Sequence, residues 1–80
     1  MKVKVLFFGI AKDISEVNSI DLELKKNSNV FDFIQIIKER FSGFSSINDF
    51  TIAVNEDYAK NDIILNESDI VAIIPPVSGG

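Results

Sequence analysis

The 80-residue chain contains neither cysteine nor histidine. That double absence removes disulfides, thiol nucleophiles, Cys/His zinc sites and the commonest acid–base side chain. Tryptophan is also missing. Only two prolines occur, and they are adjacent at Pro75-Pro76; of four glycines, two are the last residues, Gly79 and Gly80. Basic residues are in the minority, with 8 Lys and Arg against 12 Asp and Glu for a net charge of −4. No basic run stands out, so nucleic acid and anionic membrane are poor partners. The acidic balance fits either a partner with a basic surface or a plain solubility feature. Long hydrophobic runs are lacking too. The apolar start of the chain, up to Phe8, is short and has no small-residue cleavage site after it, and nothing approaches the ~20 apolar residues of a membrane span. A cytoplasmic location is the expectation.

What remains is ordinary for a folded protein: 46% hydrophobic and 25% charged residues. The length is at the low end for a domain, so the chain predicts one compact unit with no room for a separate catalytic domain.

Apolar periodicity supplies the elements. Lys2 to Ile10 alternates, with Val3, Val5 and Phe7 on one side and Leu6 and Phe8 on the other, and Ile20, Leu22 and Leu24 alternate with acidic and basic residues. The two runs read as strands of a hairpin, with Ala11 to Ser19 as the polar turn between them. Val30, Phe33, Ile34, Ile37 and Phe41 then follow at helical spacing, with Asn29 as N-cap, Asp32 in the first turn, Lys38 and Arg40 near the end, and Ser42-Gly43 as the stop. After a connector from Phe44 to Asp49, Phe50, Ile52 and Val54 mark a third strand. Asn55-Glu56-Asp57 reads as a turn, Tyr58 to Asn61 as a short returning edge strand, and Ile63 to Asn66 is ambiguous. The run Ile70-Val71-Ala72-Ile73-Ile74 predicts a strand near the sheet centre with both faces covered. This β-β-α-β-β-β order admits a β-grasp arrangement, α+β, with a mixed four- to five-stranded sheet and one main helix across one face.

Pro75-Pro76 ends the last strand, because proline lacks the ladder N–H and favours an extended polyproline conformation. The reading is a domain over 1–74 and an extended tail over 75–80. Six residues at about 3.3–3.6 Å each reach roughly 20 Å, enough to enter another protein's active site. Terminal glycines, without Cβ atoms, fit a narrow channel and leave the carboxylate open to attack.

With Lys4-Val5-Leu6-Phe7-Phe8, Ala53-Val54-Asn55, and Leu65 with Glu67 through Gly80, the sequence resembles the small subunits of molybdopterin synthase, ubiquitin-like sulfur carriers. The resemblance covers the whole chain, and Pro-Pro-Val-Ser-Gly-Gly is its most specific part. It implies that an E1-like enzyme uses ATP to adenylate the Gly80 carboxylate, that a sulfur donor converts it to a thiocarboxylate, and that the tail of Pro75, Pro76, Val77, Ser78 and Gly79 inserts into the large synthase subunit. There the sulfur passes to cyclic pyranopterin monophosphate. A heterotetramer is implied, with catalytic groups on the large subunit. The carrier itself is expected to bind no cofactor or metal and not to be an enzyme on its own. Two positions depart from the family pattern: Lys12 stands where arginine is frequent, losing the bidentate fork, and Ser68 replaces the glycine of an Asp-Gly-Asp turn.

Strand alternation places Phe8, Ala72 and Ile74 on the sheet face away from the helix, where an exposed apolar patch would dock partners. The resemblance adds Tyr58. The bland alternative is that a loop covers these residues or that they belong to the core. Acidic residues on the turns, Glu56, Asp57, Asp62, Glu67 and Asp69, lack EF-hand spacing. Three other functions remain open: a sulfur carrier for thiamine synthesis, a ubiquitin-like modifier joined through Gly80 to lysines, and a β-grasp binding module with an inert tail.

Overall fold

A computed structural model describes residues 1–45 and 49–76. Its elements are β1 (Lys2–Phe7), α1 (Ile10–Ser15), β2 (Ser19–Glu23), α2 (Val30–Arg40), a 3-10 turn at Ser42–Phe44, β3 (Thr51–Val54), β4 (Asp57–Tyr58) and β5 (Ile70–Ile74). The five strands form one sheet in the order β2-β1-β5-β3-β4. β5 runs parallel to β1 and antiparallel to β3, while the β1–β2 and β3–β4 pairs are antiparallel. The first and last strands therefore pair at the centre of a mixed sheet. This is the β-grasp architecture anticipated from the order of elements.

One sheet face carries the core. Val3, Val5 and Phe7 of β1, Val71 and Ile73 of β5 and Ile52 of β3 are buried against Val30, Phe33, Ile34 and Ile37 of α2. Fully burying each such side chain stabilises by about 1.5–3 kcal/mol, an upper figure because unfolded chains already bury some surface. α2 starts with a capping box: the Asn29 side chain accepts from the Asp32 N–H and the Asp32 carboxylate from the Asn29 N–H. That reciprocal pair satisfies two groups that the first turn would otherwise leave open. Phe44 is fully buried, so the connector after α2 is itself part of the core. Phe44 meets Phe7 in a stacked arrangement, and Phe41 and Phe50 edge-on, with ring centroids 5.7–6.1 Å apart.

The structure corrects four expectations. The Ala11–Ser19 segment is not merely a turn; it opens with α1, whose Ala11 is buried in the core. A six-residue helix offers too few turns for a readable apolar stripe, and tertiary contact fixes it instead. β1 ends at Phe7 rather than Ile10 because Gly9, with φ +53°, turns the chain into α1, which starts at Ile10. The edge strand is shorter than Tyr58–Asn61 and begins one residue earlier, at Asp57. Finally, β5 has one covered face: Val71 and Ile73 are buried, while Ile70 is exposed and Ala72 and Ile74 are half-buried. An unbroken apolar run in this strand signals a sheet face left open.

Candidate functional site

The site is built where the central strand leaves the sheet. β5 ends at Ile74, whose neighbour across the β3 pairing is Thr51, and the Phe8 N–H donates to the Ile73 carbonyl at 3.3 Å. Pro75 then sits half-buried and Pro76 exposed. Gly9 flanks this point with φ +53°, and a Cβ there would lie 3.0 Å from Pro75 Cγ. A side chain at Gly9 would thus meet both backbone strain and the ring. The tail root is held between the end of β1 and the start of β3, in the middle of the sheet. Of the predicted tail residues, Val77, Ser78, Gly79 and Gly80 lie outside the described residues.

Strand register assembles the rest. Leu6 pairs with Ala72, Ala72 with Ala53 and Ala53 with Tyr58, so these four side chains form one row across the outer face. Ile74 and Thr51 form the next row toward the tail, beside Phe8. All four residues expected at the partner face, Phe8, Tyr58, Ala72 and Ile74, are thereby brought onto the outer side of the sheet. Phe8 is 47% exposed and Tyr58 81%. Ala72 is half-buried and Ala53 buried, so the middle of the face is low, with Phe8 and Tyr58 exposed on either side.

Ala53, Thr51 and Ile70 belong to the same face and were not singled out from sequence. Their alternation was readable, but which strand stands beside which was not. Lys4 and Asp21 face each other at its far side, as do Lys2 and Glu23. Lys12, on α1, borders the same corner as Phe8 and Gly9.

Electrostatics set the opposite end of the sheet apart. The Met1 amino group lies 2.9 Å from the Glu23 carboxylate, and this hydrogen-bonded ion pair, aided by Lys2, holds Glu23 below the ordinary carboxylate pKa. Among the described residues no three carboxylates gather into a set that could hold a metal ion, and no helix is long and apolar enough to cross a membrane. The chemistry available at the described site is recognition: a shallow apolar face, and a proline-stiffened exit for the chain end.

Residues 5–80 match the model of the ThiS family. The chain belongs to the ThiS family. Among relatives of this ThiS-family chain is the molybdopterin synthase sulfur carrier subunit of Dictyostelium discoideum, 37% identical and matched over 96% of this chain and 94% of the relative. A putative molybdopterin converting factor subunit 1 from Pyrococcus furiosus superposes with a TM-score of 0.89 at 32% identity, covering 96% of this chain and 99% of that one. The same fold, with a TM-score of 0.72 and 24% identity over the whole of both chains, occurs in a protein–protein complex of subunits 1 and 2 of molybdopterin-converting factor from Helicobacter pylori.

Proposed function

We propose that this chain is the sulfur carrier subunit of molybdopterin synthase. The observation that carries the reading is the exit of the chain from the central strand, through Pro75-Pro76, beside an open apolar face, in a sequence that ends in Gly79-Gly80. A free carboxylate is a poor electrophile. Adenylation of Gly80 by an E1-like enzyme consumes ATP, releases pyrophosphate and gives the carbonyl a good leaving group. Sulfur at the sulfide level then attacks that carbon, the C–O bond to AMP breaks and AMP departs, leaving a thiocarboxylate; a persulfide donor would first give an acyl disulfide that a thiol reduces to the same product.

The proline pair delivers this end into the large subunit while Phe8, Ala72, Ile74 and Tyr58 dock on the partner's surface. There the sulfur passes to cyclic pyranopterin monophosphate, on the way to the dithiolene of molybdopterin. The carrier has no histidine or cysteine, and in this reading the catalytic groups belong to the large subunit. The pairing of subunits 1 and 2 in the Helicobacter pylori complex supports the choice of partner. The thiamine-pathway and protein-modifier readings share the activation step and differ in the acceptor.

The test is intact-protein mass spectrometry after incubation with activating enzyme, ATP and a sulfur donor, followed by addition of large subunit and precursor. The expected result is a mass gain equal to one oxygen-for-sulfur exchange, localised to Gly80 and discharged as molybdopterin forms. A charged chain that leaves the pterin precursor untouched would sink the assignment.

A further inference from the structure

A groove of about 650 Å³ runs along the β4 edge of the sheet, on the helix side. Its origin is the brevity of β4. After Tyr58 the pairing with β3 persists only as the Ala59 N–H donating to the Ile52 carbonyl, and the chain then crosses to the start of α2. There the Phe31 N–H donates to the Asn61 carbonyl and the Val30 N–H to the Ile63 carbonyl. The span links the β4 edge to the start of α2, and the groove lies beside it along the edge where α2 meets β3. Phe31 and Ile34 form one wall, Phe50 and Ile52 the other, and Tyr58 and Lys60 the rim. Phe31 is 51% exposed. Lys60 is the sole charged side chain among the described lining residues.

We propose that this groove receives an apolar segment of the large synthase subunit, with a carboxylate opposite Lys60, so that the partner wraps from the outer sheet face around the β4 edge. The proposal rests on the functional reading above. Continuity carries it: Tyr58 and Thr51 belong both to the rows of the outer face and to the groove lining. Area carries it further. A stable pair buries about 800 Å² per partner, roughly a sixth of this chain's 5143 Å² surface. On the outer face Leu6, Ala72 and Ile74 are half-buried, and the protruding apolar side chains are Phe8, Tyr58 and Ile70. The groove adds aromatic and aliphatic surface next to them. Lysine at the rim and a carboxylate across from it would fix orientation more than affinity.

The experiment is calorimetric titration of the full-length chain with the large subunit of the same organism, using wild type, Phe31→Ser and Lys60→Glu. Both side chains are exposed, and thermal melts verify that each variant folds. Phe31→Ser is expected to raise Kd about tenfold or more, and Lys60→Glu by a smaller factor of about threefold through charge repulsion, while thiocarboxylate formation at Gly80 stays unchanged. Values within about twofold of wild type for both variants overturn the groove proposal alone. So does sedimentation showing that Phe31→Ser dissolves a homodimer, which assigns the groove to a second copy. Failure of the wild-type chain to bind the large subunit overturns the functional reading and the groove with it.

Discussion

The two ends of the central strand are held in different ways. At its start, side chains and backbone are tied by hydrogen bonds: the Asp69 carboxylate accepts from Asn55 Nδ2 at 2.9 Å and from the Asn66 N–H at 2.8 Å, and the Asn55 side-chain oxygen accepts from the Ile70 N–H. The Lys2 N–H donates to Glu67 and the Ser68 N–H to the Lys2 carbonyl, locking β1 to the turn before β5. At the other end, where the tail departs, Phe7, Phe41, Phe44 and Phe50 pack beneath the strand, and Phe8 and Ile74 are left partly open. Directional bonds fix register, because a slip by one residue would break all of them. Non-directional packing supports the exit and leaves the polar ladder free to end. The anchored end specifies the fold, and the apolar end keeps Phe8 and Ile74 partly open beside the tail root.

The sharpest way to break this comparison is at the aromatic end. Phe44→Ala removes a fully buried ring from the cluster and is expected to cost about 3–5 kcal/mol, a large share of a small domain's stability, as read from denaturant midpoints. Sulfur loading should then fail with unfolding, in parallel with the loss of helical signal; full loading of a chain that remains as stable as wild type would show that the aromatic end does not hold the tail root.

A smaller effect is expected at the anchored end. Asp69→Ala strands the Asn55 amide and the Asn66 N–H and should cost about 1–3 kcal/mol. The folded fraction should still accept sulfur at the wild-type rate, because this network lies at the start of β5, at the other end of the strand from Pro75-Pro76. A rate loss exceeding the loss of folded molecules would mean that the two ends are coupled.

The hairpin between β3 and β4 gives a change of opposite sign. Asn55 and Glu56 both have positive φ, at 50° and 75°, as a two-residue hairpin turn requires. Glu56→Gly relieves the strain of a side chain in the left-handed region and should stabilise by about 0.5–1 kcal/mol, seen as a higher melting temperature. An unchanged or lower melting temperature would show that Glu56 is compensated locally.

The smallest effect is electrostatic. Glu23 is exposed and its pKa is lowered by the Met1 amino group, so its contribution is present above the ordinary carboxylate pKa and is lost as pH falls through the lowered folded value. Melting curves of Glu23→Gln and wild type should therefore differ slightly at neutral pH and converge in acid. Curves that diverge as pH falls would reverse the assigned sign.

Local chemistry by itself determined much of this protein. Asn29 and Asp32 announced the start of α2, the alternation in Val3, Val5 and Phe7 separated core face from outer face, and Pro75-Pro76 marked where the ladder must stop. Each of these is set by neighbours within a few residues. Tertiary structure decided what depends on distant partners. α1 became a helix because Ala11 reaches the core, and the bare face of β5 emerged only once the sheet order placed Leu6, Ala72, Ala53 and Tyr58 in one row. The groove beside Phe31 likewise lies where the chain after β4 bridges to α2, a crossing that no periodicity encodes. Hydrophobicity in a sequence tells which residues avoid water; the assembled sheet determines which of them still meet it, and so where a partner can bind.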